Sequence, residues 1–309
     1  EGGLDWLVGC PAGTPATRRG RVELCDGRTG AVRRVLLGDE PGFGAAVAGL
    51  SDCDGDGVPD FAVASPPILR NAAAQGRVQL FSGRTLEPLA TLRNEVPGVW
   101  FGAVLAAVGD ADGDGVDDLV VGGNYGGAPG LVRLYSGRTR QILHGWSDAS
   151  PTSGFGAVVA AAGDVDGDGR ADVAVAALHE GGRVADRVFV YSGANGAELA
   201  RFEHDRPGTG FGRSVRRFGG GEEAVFAIGA PAGGDPVTGV VELHSVRRGR
   251  IATLIGPVLH GACGWSLELL ADQDGDGLPE LFAGGPAANR DGMVWKVLSR
   301  HLLGGPRGR

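Results

Sequence analysis

Short apolar runs recur along the whole chain and are separated by turns rich in glycine and polar residues. One kind of run is unbroken and rich in branched side chains, which is typical of a strand buried on both faces. Such runs lie at residues 61–64, 119–122, 173–176 and 281–284. A second kind alternates apolar and polar positions, as at Val78 and Leu80, which is typical of a strand with one buried face. The pattern therefore predicts short antiparallel strands throughout.

The strands are grouped into a repeat of about 55 residues, a length typical of repeat architectures. Units open with a Phe-Gly pair at residues 43, 101, 155 and 211, and Cys263-Gly264 has that place in the last unit. We expect these phenylalanines to pack between units. Four short strands per unit with glycine at the turns describe one blade of a β-propeller. We expect a single all-β domain of about six four-stranded antiparallel blades, with units at about residues 1–40, 41–98, 99–152, 153–208, 209–260 and 261–309.

A nine-residue motif, Asp-x-Asp-x-Asp-Gly-x-x-Asp/Glu, lies in the same place in four of these units. Four carboxylates so close together repel one another unless a cation lies between them. Oxygen donors with no His or Cys at the ligand positions indicate calcium, and the glycine at position six permits the bend that brings the side chains onto one ion. The carboxylates are Asp52, Asp54, Asp56 and Asp60; Asp110, Asp112, Asp114 and Asp118; Asp164, Asp166, Asp168 and Asp172; and Asp272, Asp274, Asp276 and Glu280. The predicted sites also include the residues at position seven, Val58, Val116, Arg170 and Leu278.

The EF-hand, which begins with a similar motif, is excluded by the residues that come after each loop. An EF-hand has a bidentate glutamate at position twelve and a helix on each side. Position twelve here is Val63, Val121, Val175 or Ala283, each inside a predicted strand. The loop therefore closes after nine residues as a hairpin between two strands.

The order of the Phe-Gly, Gly-Ala-Pro and Asp-x-Asp-x-Asp-Gly elements resembles the FG-GAP repeats of the integrin α-subunit head. The resemblance implies a β-propeller with calcium in the hairpin between the first and second strands of a blade. It also implies that ligands meet loops on the face opposite these hairpins. Aromatic side chains in such loops suit sugar rings or a protein partner. The candidate ligand contacts are Trp100, Tyr125, Trp146 and His179, all expected in connections on that opposite face.

Two units depart from the pattern. The unit at 209–260 has Gly219-Gly220-Gly221 where the carboxylates should lie, so we expect no ion there and four Ca²⁺ ions in total. Aligning Trp6 with Phe61 places Glu1 at loop position five, so the first unit begins in the middle of a blade. We expect an incomplete first blade with three strands from residues 5 to 37.

Composition and charge support a calcium-binding role and exclude several others. The formal charge is −8, and positions one, three, five and nine of the four motifs contain sixteen of the 37 acidic residues, so four Ca²⁺ would offset that charge. No basic stripe with interleaved aromatics indicates a nucleic-acid partner, and no apolar run approaches the ~20 residues of a membrane span. The six histidines have no zinc-site spacing, no G-x-S-x-G nucleophile is present, and the pairing of the four cysteines stays open.

The predicted function is that of an extracellular or cell-surface module that binds a protein or carbohydrate, with calcium in a structural role. Exposed carboxylate loops suit the roughly 10⁻⁴–10⁻³ M affinities of extracellular calcium modules. Identical carboxylates in four blades favour a repeated structural role over catalysis. Two alternatives stay open at this stage, the propeller of a polysaccharide lyase or hydrolase and a purely architectural surface domain.

Overall fold

The chain is described by a computed structural model at residues 5–11, 19–40, 42–67, 75–94, 96, 99–123, 130–150, 152–179, 184–218, 223–235, 237–273, 275, 278–286 and 292–297. These residues form β-strands and turns, and they include no helix of the length and hydropathy that crossing a membrane requires. The strands are β1 Trp6–Cys10, β2 Arg21–Cys25, β3 Val32–Leu37, β4 Ala46–Gly49, β5 Phe61–Ser65, β6 Arg77–Phe81, β7 Pro88–Arg93, β8 Phe101–Gly109, β9 Asp118–Gly123, β10 Gly130–Tyr135, β11 Ile142–Asp148, β12 Phe155–Gly163, β13 Asp172–Ala177, β14 Arg187–Tyr191, β15 Glu198–Glu203, β16 Ser214–Phe218, β17 Val225–Ala230, β18 Val240–Ser245, β19 Gly249–Ile255, β20 Ser266–Leu270, β21 Glu280–Gly285 and β22 Met293–Val297.

The strands form six antiparallel sheets in which neighbours in sequence are neighbours in space. Sheets β4–β7, β8–β11, β12–β15 and β16–β19 have four strands, and the first and last have three within the described residues, β1–β3 and β20–β22. The first strands of successive complete sheets, β4, β8, β12 and β16, pack against one another in order, and β20 follows β16. This arrangement confirms the predicted all-β propeller of about six blades. We refer to the sheets as blades one to six.

The core lies between the blades. The second strand of a complete blade is buried on both faces, as its unbroken apolar run predicts, and β5, β9, β13 and β17 are buried along their whole length. Burying one such Val or Leu side chain contributes about 1.5–3 kcal/mol relative to exposure. Among the described residues, the buried apolar side chains form five clusters, each shared by two neighbouring blades.

The Phe-Gly pair has a packing role in every complete blade. The phenylalanines at 43, 101, 155 and 211 are all buried, and each contacts a ring near the end of the third strand of its own blade. Ring centroids are 6.0 Å apart for Phe43 and Phe81, 6.2 Å for Phe101 and Tyr135, 6.4 Å for Phe155 and Tyr191, and 5.4 Å for Phe211 and His244. The glycines that come next have φ between 80° and 95°, a conformation that side chains disfavour. The pair is thus fixed by packing and by backbone geometry.

Candidate metal sites

The four carboxylate motifs connect the first and second strands of their blades. We call them loop A (residues 52–60), loop B (110–118), loop C (164–172) and loop D (272–280). Because these strands run antiparallel and are joined by short loops, the loops lie at one end of the blades, while the Phe-Gly pairs lie at the other.

Carboxylates at positions one, three and nine converge in loops A, B and C. One oxygen from each member of a set lies within 4.8 Å of an oxygen from the other two. The sets are Asp52, Asp54 and Asp60; Asp110, Asp112 and Asp118; and Asp164, Asp166 and Asp172. The middle member is exposed and the last is buried, so each set opens towards solvent on one side.

The first carboxylate is held by backbone N–H groups of its own loop. Gly55 and Gly57 each donate to Asp52 at 2.7 Å, which positive φ values of 84° and 82° permit. Gly167 and Gly169 donate to Asp164 in the same way at 2.7 and 3.0 Å. The Gly57 N–H is the main reason that the pKa of Asp52 is lowered. The N–H groups of the glycines at positions four and six thus hold the first carboxylate in place and favour its ionised form.

The ninth carboxylate joins the loop to another turn of the blade. Asp118 accepts the Ala111 N–H at 2.8 Å and, on its other oxygen, the Gly137 N–H at 2.9 Å. Gly137 belongs to the Ser-Gly turn after the third strand, and a Cβ atom there would overlap the carbonyl oxygen of Asp117. The same bonds recur from Cys53 and Gly83 to Asp60, and from Val165 and Gly193 to Asp172. The sequence presents two separate motifs, and the structure joins them.

Burial makes the ninth carboxylate an unfavourable anion in the absence of a cation. Asp118 and Asp172 are fully buried, and this desolvation raises the pKa of each carboxyl to about 6. Burial also raises the pKa of Asp60. A cation beside these groups would offset the cost of desolvation.

The carboxylate at position five of each loop lies outside these sets. Asp56 accepts a bond from Arg84 Nε at 3.1 Å, and Arg84 also belongs to the turn after the third strand. In loop B, Asp114 Oδ2 is buried and accepts no hydrogen bond, and Arg138 Nε lies 3.4 Å away. Asp168 is exposed in loop C, where it accepts the Arg170 N–H at 2.8 Å. The roles of positions five and seven as ligands therefore stay predictions.

Loop D repeats the pattern as far as the structure describes it. Gly275 donates to Asp272 at 2.7 Å, and both oxygens of Glu280 accept the Gln273 N–H at 3.0 Å. The predicted ligands Asp274 and Asp276 lie outside the described residues.

Two acidic residues outside the predicted sites make contacts that resemble those of the carboxylates in loops A to C. In blade five, Glu223 accepts bonds from Ser245 Oγ and from Arg248 Nε, the latter at 3.1 Å, on the turn after the third strand. In blade one, Asp5 accepts the Gly27 N–H at 3.2 Å, which matches the bond from Gly137 to Asp118. Aligning Trp6 with Phe61 places Asp5 at position nine, so the sequence contains a signal for this contact.

The residues present fit a hard divalent cation. Every converging ligand is a carboxylate oxygen, and hard cations prefer such donors. The desolvation that raises the pKa values of Asp118 and Asp172 would be offset by a nearby positive charge.

The predicted ligand contacts fall in different surroundings. Trp100 and His179 lie at the end of the blades opposite the loops, beside β8 and after β13, and Tyr125 lies outside the described residues. The sequence predicts Trp146 in a connection, but this residue lies inside β11. Its ring stacks on Tyr191 at 4.9 Å and its Nε1 donates to the Gly196 carbonyl of the next blade at 2.9 Å. Packing between blades three and four accounts for this tryptophan.

Comparison with known proteins agrees with this architecture. A family model described as an FG-GAP-like repeat matches residues 110–175, which include loops B and C. Integrin alpha-4 of Xenopus laevis is 32% identical over 149 residues, covering 44% of this chain and 14% of the relative. Integrin alpha-IIb of Homo sapiens is 32% identical over 213 residues, covering 60% and 19%. The chain thus spans less than a fifth of the length of these relatives.

A solved structure shows the same fold. It is described as the Dos1 propeller, is 15% identical, and aligns with a TM-score of 0.58 over 90% of this chain and 61% of its own. With the strand order, the recurring Phe-Gly pairs and the family match, this likeness leads to one assignment. The chain is a β-propeller in which residues 110–175 match an FG-GAP-like repeat, and it is similar to the integrin α-subunits.

Proposed function

We propose that this propeller is an extracellular binding or adhesion module whose loops A to D hold structural calcium. The observation that carries the proposal is the convergence of three carboxylates in each of three loops, on one hydrogen-bond plan. Bound Ca²⁺ would supply positive charge beside the buried ninth carboxylate of each set. An ion that ties the loop to its blade stabilises by about 2.7 kcal/mol at a hundredfold excess over Kd.

A binding role rather than catalysis is supported by the first strands of the blades, which pack against one another. These strands, β4, β8, β12, β16 and β20, contain mainly alanine, valine and leucine. Among these described strands the only carboxylate is Glu268, and its Oε2 lies 3.1 Å from Arg216 Nη2. An acid that is held in an ion pair is poorly placed to act as a general acid or base.

A ligand face opposite the loops is supported by the distribution of exposed apolar side chains. Exposed residues of this kind lie in the connections at that end, and Arg213 lies over the Trp265 ring at 4.4 Å. They are Val96, Val184, Val237, Leu259 and Trp265. The His260 N–H donates to the Val237 carbonyl at 2.8 Å, which joins two of these connections into one surface. An apolar surface with an aromatic ring suits a protein or a sugar.

The ligand proposal is tested by binding to arrays of glycans and extracellular proteins in millimolar calcium. Leu259→Ser and Trp265→Ser should each weaken binding by tenfold or more, which corresponds to a loss of about 1.4 kcal/mol or more of binding free energy. The matched control is Ile142→Ser, a similarly exposed residue in an outer strand. Equal binding by all four proteins would count against this face. Turnover of a polysaccharide that survives in these variants would favour an enzyme instead.

A further inference from the structure

Loops A and B are joined directly across the boundary between blades two and three. The Asp117 N–H donates to Ser51 Oγ at 2.7 Å, and the Ser51 N–H donates to Asp117 Oδ2 at 3.0 Å. Ser51 precedes Asp52, the first carboxylate of loop A. Asp117 is position eight of loop B and precedes Asp118. The two carboxylate sets are thus each one residue away from a shared pair of hydrogen bonds.

Loops B and C are joined by an even shorter path. The Ala171 N–H, at position eight of loop C, donates to the backbone carbonyl of Asp110 at 2.9 Å. Asp110 is itself a member of the loop B set, and Ala171 is next to Asp172 of the loop C set. In addition, the Arg170 guanidinium lies on Gly113, where a Cβ atom would overlap it. One hydrogen bond therefore links a carboxylate residue of one set to the neighbour of a carboxylate residue in the next.

Position eight differs between the loops in a way that fits this role. Loop D comes after blade five, which lacks the carboxylate motif, and its position eight is Pro279, which has no N–H to donate. Loops B and C each come after a blade that has the motif, and each donates an N–H from position eight to that blade. Pro59 in loop A also shows that the loop accepts proline at this position.

We propose that position eight couples neighbouring calcium sites, so that an ion in one loop raises the affinity of the next. The inference rests on the proposed calcium binding and adds to it a regulatory property of the same sites. Without an ion, the carboxylates of a loop repel one another and resist a single arrangement. An ion in loop C orders Ala171 against Asp110, so the next ion finds loop B already ordered and loses less conformational entropy on binding.

Charge acts in the opposite direction. A filled loop is less negative than an empty one, which weakens its attraction for an ion in the next loop. This effect is screened by salt beyond a Debye length of about 8 Å at 0.15 M, whereas a direct hydrogen bond is not removed by such screening. Positive coupling is therefore expected at physiological ionic strength.

The test uses the full chain with loops A and D disabled by Asp54→Asn and Asp272→Asn, which leaves sites B and C. Calcium affinities are measured by titration calorimetry in 0.15 M salt, the ionic strength at which surface charges are screened beyond about 8 Å. Single-site proteins are made by adding Asp166→Asn, which leaves B, or Asp112→Asn, which leaves C. The product of the two stepwise affinities should exceed the product of the single-site affinities by about fivefold or more.

Ala171→Pro should remove this excess, because it deletes the donated N–H and separates the loops. Arg170→Val, which introduces the residue type of loops A and B at that position, should reduce the excess and provides a second variant if Ala171→Pro fails to fold. The matched control Pro59→Ala lies in a disabled loop and should leave the excess unchanged.

If the product of the stepwise affinities equalled the product of the single-site affinities with Ala171 intact, the coupling would be overturned while calcium binding stayed in place. If titration with calcium produced no heat of binding in any of these proteins or in the unsubstituted chain, the proposed function would be overturned instead. An excess that survives both Ala171→Pro and Arg170→Val would show that position eight is not the coupling residue.

Discussion

Gly137 shows how a single residue connects two motifs. It donates its N–H to Asp118, and it has no room for a Cβ atom because the Asp117 carbonyl lies against it. Gly83 and Gly193 are in the same position against Pro59 and Ala171. The Ser-Gly turn is therefore fixed by contact with the carboxylate loop, not by the turn alone.

Gly137→Ala should lower the free energy of unfolding by about 1–3 kcal/mol, the usual effect of forcing extra volume into a packed site. Urea unfolding followed by circular dichroism measures it. The control is Gly49→Ala, where an added Cβ atom meets nothing within 4 Å and φ is not in the left-handed region. A loss for Gly137→Ala no larger than for Gly49→Ala would contradict the overlap.

At the scale of elements, the acidic residues at the loop end of the blades make two kinds of contact. Loops A, B and C gather carboxylates that fit an ion, whereas blade five joins Glu223 to Ser245 and Arg248 without a carboxylate motif. The stability that these two kinds of contact provide should respond differently to calcium.

Asp166→Ala should remove one ion, because Asp166 belongs to the converging set of loop C. In calcium, and not in chelator, this should lower the melting temperature through a loss of up to about 2.7 kcal/mol of stability at a hundredfold excess over Kd. The other sites should keep the propeller folded. Glu223→Ala should lower the melting temperature equally with calcium and with chelator, because its partners are a hydroxyl and a guanidinium. Thermal melts of both variants in the two conditions check this, and an equal loss for Asp166→Ala with chelator would count against an ion in loop C.

The joint between blades five and six can be monitored by a thiol. Cys263 is buried beside Gly239 and Gly256, and burial raises the pKa of its thiol to about 11. All four cysteines are unpaired, and Cys10 is only half buried. Since the thiolate is the reactive form, maleimide at pH 8 should modify Cys10 readily and Cys263 only after unfolding. Mass spectrometry of peptides gives the order, and fast labelling of Cys263 in the native protein would contradict the packed joint.

The elements that sequence predicts well are those set by local pattern. Unbroken apolar runs predict β5, β9 and β13, and the carboxylate spacing predicts the hairpins before them, because both depend on neighbours in the chain. The predicted placement of Trp146 in a connection is wrong because the outer strand β11 extends further than its polar composition suggests. Bonds between blades, such as Ala171 to Asp110, depend on how the sheets stack, which no local pattern encodes. The unit boundaries and the fifth- and seventh-position ligands stay predictions.

At the scale of the whole molecule, the ring is asymmetric in chemistry as well as in sequence. Loops A, B and C lie on three successive blades, and direct hydrogen bonds join A to B and B to C. Blade five interrupts the series with a buried cluster in which Glu242 bonds to His244 at 2.8 Å and to Arg250 at 2.9 Å. Hydrogen bonds between their loops therefore link blades two to four into one block.

Calcium in the carboxylate loops is tested by counting the ions that the purified chain binds. After dialysis against buffered calcium, metal analysis by mass spectrometry should return four equivalents, one for each of loops A to D, and none for blade five. Asp166→Ala should return three, and Glu223→Ala should still return four. Fewer than three or more than four equivalents in the unsubstituted chain would contradict the assignment of calcium to these loops.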